Sequence, residues 1–126
     1  MPLTRISLRQ GKPADYKRTV MKEVYEAMRE TFEVPEDDRF MTVTEHDEDT
    51  FWFGRHYLGI ERSNDLVIIQ ITASNTRTTK VKKALYGRIV ERLAASLGVR
   101  REDVFINLVE VAKENWFFGN GEAQYA

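Results

Sequence analysis

Pro2 follows Met1, and proline in that position permits removal of the methionine, which leaves a secondary amine at the chain terminus. An α-amino group titrates near ~7.7–8.0 in model peptides, and burial against apolar walls lowers that value. A base poised there suits proton abstraction beside a carbonyl, and the same amine in its protonated form is a fixed cation and acid. With Met1 attached the Pro2 nitrogen is a tertiary amide and has no basicity. Pro2 is also acceptable as the plain first residue of an edge strand. Arg77 is the second residue with chemical potential. It follows a predicted strand and immediately precedes Thr78, a predicted helix cap. A guanidinium fork beside the unsatisfied N–H groups of a helix start would hold a carboxylate, although a loop arginine is ordinarily just solvated.

Other constellations carry less. His46 and His56 have no third ligand at useful spacing, so no metal site is expected. Lys80, Lys82 and Lys83 lie around a helix start with Glu91 and Glu102 nearby, a solvated face rather than a nucleic-acid patch. Gly119-Asn120-Gly121 lacks the strand-to-helix context of a phosphate loop, and no cofactor is indicated. The net charge of −1 predicts neither nucleic-acid nor membrane affinity. The absence of cysteine excludes disulfides and fits a reducing compartment. No apolar run approaches the roughly 18–20 residues of a membrane span. Met1–Leu8 lacks the basic and apolar regions of a signal peptide, so a cytoplasmic location is expected.

The elements that position these groups come from a pseudo-repeat. Sliding residues 2–45 onto 67–110 without gaps pairs Ile6 with Ile71, Lys17 with Lys82, Glu26 with Glu91 and Val34 with Val99. It also pairs Asp38 with Asp103, Phe40 with Phe105 and Glu45 with Glu110. In the first half Leu3, Ile6 and Leu8 make a short strand ending at Gln10-Gly11. Pro13 suits a helix's first turn, and Tyr16, Val20, Val24, Ala27 and Thr31 follow at helical spacing. Val34-Pro35 stops that helix, and Phe40, Met41 and Val43 make the next strand.

The second half repeats the order. Leu66–Ile71 is an apolar, β-branched run suited to a strand covered on both faces. Thr78 caps a helix striped by Val81, Leu85, Ile89, Leu93 and Leu97, which Gly98 ends. Val104–Val109 returns as a strand. Two consecutive βαβ units predict an α+β fold in which a four-stranded sheet carries two helices on one face. The whole chain, 1–126, reads as one domain. Residues 46–65 form an aromatic connector, expected to be a packed loop or short hairpin, and 111–126 form an aromatic, glycine-bearing tail. The apolar Val67–Ile71 run implies a second sheet face that must be covered, for which self-association is the simplest means.

Two fused βαβ units beginning Met1-Pro2-Leu3 resemble the tautomerase superfamily. The chain is similar in particular to its long members around malonate semialdehyde decarboxylase and their tautomerase relatives. The matching segments are Phe32–Phe40, Tyr57–Arg62, Asp103–Glu110, Glu114-Asn115-Trp116 and Phe118–Gly121. The resemblance implies a catalytic amine at Pro2, and Arg77 as the loop arginine that binds a substrate carboxylate. Asp38 would be the aspartate that partners the proline, alongside its bland reading as part of a charged turn. Trp116 and Phe118 would be the apolar wall over the amine. It further implies a homotrimer in which Lys12 either reaches a neighbouring subunit's site or is simply solvated. Where the decarboxylase has two arginines on the loop after its third strand, Ser74, Asn75 and Thr76 leave Arg77 alone. The expected activity is therefore cofactor-independent keto–enol tautomerisation of a small 2-keto or 2-hydroxy-dienoic acid. The alternatives are decarboxylation or hydration of an acid such as malonate semialdehyde, or a non-enzymatic interaction role on the same scaffold.

Overall fold

The computed structural model describes residues 1–126. Strand β1 spans Leu3–Arg9, helix α1 Ala14–Phe32, β2 Phe40–His46, β3 Val67–Ser74, α2 Thr79–Leu97 and β4 Val104–Val111. β1 pairs parallel with β2 and β3 parallel with β4, while β1 and β3 join the halves antiparallel, giving the order β2-β1-β3-β4. Both helices lie on one face. Val20, Val24, Ala27 and Met28 of α1 and Leu85, Ile89 and Leu93 of α2 are buried against Ile6, Leu8, Val67, Ile69 and Ile71 of the sheet.

The repeat has a physical basis in its identical pairs. Ile6 and Ile71 are core residues, as are Val34 and Val99. Lys17 pairs with Glu45 at 2.8 Å, and Lys82 with Glu110 at 2.7 Å, the same helix-to-strand ion pair made twice. Asp38 and Asp103 diverge. Asp103 is fully buried and accepts from both the backbone N–H and the hydroxyl of Ser63, tying the connector to the start of β4.

The helix boundaries follow local chemistry. The Thr78 hydroxyl accepts from Val81 N–H at 3.3 Å, and Gly98 closes α2 with φ 66°. Pro13 sits just before the first helical residue of α1. The end of α1 falls earlier than the Val34-Pro35 stop: Glu33 already has φ 56°, a left-handed conformation that costs a non-glycine residue about 1–2 kcal/mol.

The second sheet face departs from expectation. Side chains alternate along a strand, so Val67, Ile69 and Ile71 point to the helices. Register places Thr42, Arg5, Gln70 and Asn107 in one outward row, with a Gln70–Asn107 hydrogen bond of 3.2 Å. The rows on either side carry the apolar groups, Phe40 and Leu3 with Val109 in one, Ile68 and Phe105 in the other. The face is banded rather than continuously apolar. The connector also divides. Phe51 is buried and Arg62 donates to the carbonyls of Gly54, Tyr57 and Ile60, yet Trp52 is wholly exposed and Tyr57 and Leu58 largely so.

Candidate active site

Register brings four chain segments to one end of the sheet. Leu3 opens β1 opposite Phe40, the first residue of β2, and opposite Thr72 near the end of antiparallel β3. Parallel β3 and β4 finish together at Ser74 and Val111. Met1-Pro2 and Asp38-Arg39 therefore enter the sheet where the Arg77 loop and the Trp116 tail leave it. The carboxyl ends of parallel strands are the usual place for a ligand crevice.

Hydrogen bonds set the tail in place. Asn75 N–H donates to the Val111 carbonyl at 3.0 Å, and Trp116 N–H to that of Lys113 at 3.2 Å. The Trp116 indole N–H donates to the Ser74 hydroxyl at 3.0 Å, which orients the ring. Phe118 stacks on it at 5.7 Å between centroids, and Tyr125 meets Phe118 edge-on at 5.1 Å. The Gln124 side chain accepts from Phe118 N–H and donates to the Gly119 carbonyl, closing the tail on itself. The result is a cavity of about 260 Å³ bounded by Met1, Pro2 and Phe40 on one side and Trp116, Phe117 and Phe118 on the other. A hollow of about 490 Å³ beside Tyr25 is larger, but Arg18, Lys22 and Arg39 line it, far in character from a dry site.

Met1 is attached in this structure, so the terminal amine belongs to Met1, one residue before the Pro2 nitrogen. It lies 3.9 Å from Asp38 Oδ2. Burial pushes its pKa down, Asp38 pulls it up, and the charges of Arg77 and Lys113 push it down again. Burial also raises the Asp38 pKa, against the opposing pull of the amine and Arg77. The other Asp38 oxygen, Oδ1, is buried without a partner.

Arg77 is held differently from the expected stance at the start of α2. Its guanidinium donates to the Phe32 carbonyl at 3.0 Å and lies 4.5 Å from the Phe32 ring centroid. It thus satisfies a carbonyl freed where α1 ends, a favourable place for a cation. It does not wall the amine cavity but opens on a different hollow, with Thr31, Glu33 and Thr76. Burial lowers its pKa and Asp38 opposes that. The structure therefore gathers Pro2, Asp38, Trp116 and Phe118 around the amine and puts Arg77 within electrostatic reach of it. Lys12 follows β1 at the far end of the sheet, pairing with Asp65 at 2.7 Å and standing over the Tyr16 ring. The sequence assigns no site role to Ser74, Lys113 or Phe117; the common end of β3 and β4 is what brings them to the site. No group of three or more metal-ligating side chains is assembled. No helix is long and apolar enough to cross a membrane.

Comparison with known proteins decides the family. A family model described as tautomerase enzyme matches residues 38–119, and a second with the same description matches residues 2–60. The chain belongs to the tautomerase family. It is 40% identical over 124 residues to the probable tautomerase YusQ of Bacillus subtilis (strain 168), covering 98% of each chain. This tautomerase also superposes on solved malonate semialdehyde decarboxylases. One, described for its decarboxylase and hydratase activities, gives a TM-score of 0.92 at 27% identity over 98% of this chain and 95% of the other. Another, from FG41 and inhibited by 3-bromopropiolate, gives 0.91 at 36% identity over 98% and 93%. A fused 4-OT symmetric trimer shares the fold, with a TM-score of 0.80 at 19% identity over 98% and 97%.

Proposed function

We propose that this tautomerase catalyses cofactor-independent keto–enol isomerisation of a small 2-keto or 2-hydroxy-dienoic acid, with the amine of Pro2, freed by loss of Met1, as the proton carrier. The neutral amine takes the proton of the enol hydroxyl as the ketone C=O forms and, now protonated, delivers it to carbon, which regenerates the neutral amine. In the reverse direction the neutral amine removes that carbon-bound proton. Arg77 binds the substrate carboxylate, and Trp116 and Phe118 keep water from the amine, favouring its neutral form. The observation that carries the reading is the half-buried chain terminus beside Asp38, under an aromatic wall, with a guanidinium in reach. As in the trimeric fold neighbour, we expect three copies to assemble.

Asp38 supports a second reading, decarboxylation of a 3-oxo acid such as malonate semialdehyde, because a carboxylate beside the amine favours the cation that would stabilise a developing enolate. The test is a turnover assay of the protein with a free Pro2 terminus, verified by mass spectrometry, against enol-pyruvates and malonate semialdehyde. Ketonisation of the enols supports the first reading and carbon dioxide release the second; neither activity overturns both. In the same assay Arg77→Ala should raise KM for acids, and lower kcat as well if the contact tightens in the transition state. An unchanged kcat/KM would place the carboxylate elsewhere.

A further inference from the structure

The loop after β3 carries one arginine, and a 2-oxo acid or its enol presents a second oxygen beside the carboxylate for which a fork engaged with the carboxylate leaves no donor. We propose that Lys113 is the second cation of the site, reaching into it from the end of β4 to share an anionic substrate with Arg77. The inference rests on the functional reading above for where substrate sits, and on backbone geometry for how Lys113 reaches it.

β3 and β4 end in register at Ser74 and Val111, and the Asn75–Val111 hydrogen bond of 3.0 Å keeps the two departing chains side by side. One leads to Arg77 within three residues, the other to Lys113 within two. Lys113 then opens the short 3-10 turn Lys113–Asn115, and its carbonyl holds the N–H of Trp116, a wall of the amine cavity. Its ammonium has no carboxylate within 4.0 Å, unlike those of Lys12, Lys17 and Lys82, and of the unpaired lysines (Lys22, Lys80, Lys83 and Lys113) it is the one whose charge acts on the terminal amine. Arg77 likewise has no carboxylate partner within 4.0 Å; its guanidinium meets only the Phe32 carbonyl and ring, so neither cation is neutralised by an ion pair. The Lys113 charge acts on the terminal amine in the same direction as that of Arg77. The ligand class is a 2-oxo acid or its enol, whose carboxylate and neighbouring oxygen can be divided between a fixed fork and a mobile ammonium.

The probe is oxalate, a planar dianion with the oxygen spacing of an enolpyruvate, titrated calorimetrically into the protein with a free Pro2 terminus. Wild type should bind it, and Lys113→Met should weaken binding about threefold to tenfold with an unchanged melting temperature. Lys113→Arg should restore most of the affinity, and acetate, with one carboxylate, should lose less than oxalate in Lys113→Met. Equal oxalate affinity in wild type and Lys113→Met overturns the proposal, as does a wild type that binds no oxalate. Because the readout is binding, absence of enol turnover would sink the catalytic reading and leave this one standing.

Discussion

Asp38 is the residue whose environment says most about the chemistry, because three forces on it disagree. Burial disfavours its charge while the amine and Arg77 favour it, and burial wins, so its native pKa lies above the unfolded value of 3.8. A carboxyl whose pKa is raised on folding costs stability when ionised. The cost is absent below the unfolded pKa and complete once pH exceeds the native one. Asp38→Asn should therefore melt above wild type at neutral pH, with the gap closing as pH falls through the acid range; thermal melts across pH check this. Its kinetic effect follows from the amine. Asp38 pulls the pKa of the Met1 amine up here, and the same charge would act on a Pro2 terminus, so the asparagine variant of a tautomerase should keep substantial activity with its profile moved to lower pH. A decarboxylase that needs the protonated amine should instead lose turnover sharply. At Pro2 the expectation is simpler. Pro2→Ala, or any uncleaved N-terminal extension, should cut kcat/KM by about 100-fold or more with the fold intact. A tagged protein at full turnover would refute the proline mechanism.

Helix α2 offers two glycines with opposite requirements. Gly98 has φ 66° and donates to the Ala94 and Leu93 carbonyls, so Gly98→Ala should cost about 1 kcal/mol through strain alone. Gly87 sits mid-helix with open space where a Cβ would go, so Gly87→Ala should add about 0.5–1 kcal/mol. Denaturant midpoints read both. These signals were legible in the chain because they are local: the Thr78 hydroxyl and the backbone freedom of Gly98 bound α2, and α1 shifted by 65 residues coincides with α2. What could not be read was set by distant partners. Arg77 faces the Phe32 carbonyl because α1 ends at a left-handed Glu33, which no motif announces. The Val67–Ile71 run looked apolar on both faces, but alternation and a polar row through Gln70 split it. Lys113 gains its place from the shared end of two strands, a property of register rather than of its neighbours in sequence.

At the scale of the molecule, one chain leaves apolar surface unsatisfied in several places. Leu3, Phe40 and Val109 border the site end of the outer sheet face, Phe105 lies toward the other end, and Trp52, Tyr57 and Leu58 project from the connector. That connector is held by Arg62 and Asp103, so its exposed groups are presented by a braced loop rather than by a loose one. Both sheet edges, β2 and β4, also have unpaired backbone on one side. A banded face with polar residues along its middle row and apolar residues on either side suits packing against identical sheets, where apolar bands seal and polar ones can remain hydrated. Closed symmetry would use the same patches in each copy. The expected outcome is a particle of three 14.7 kDa chains by light scattering. Phe105→Asp tests this away from the amine cavity, since it charges an apolar band while leaving Pro2, Asp38 and Trp116 untouched. It should dissociate the assembly or weaken it, and the melting temperature should become more dependent on protein concentration. A wild type that scatters as a monomer at micromolar concentration would show that these surfaces serve something other than a second copy of the chain.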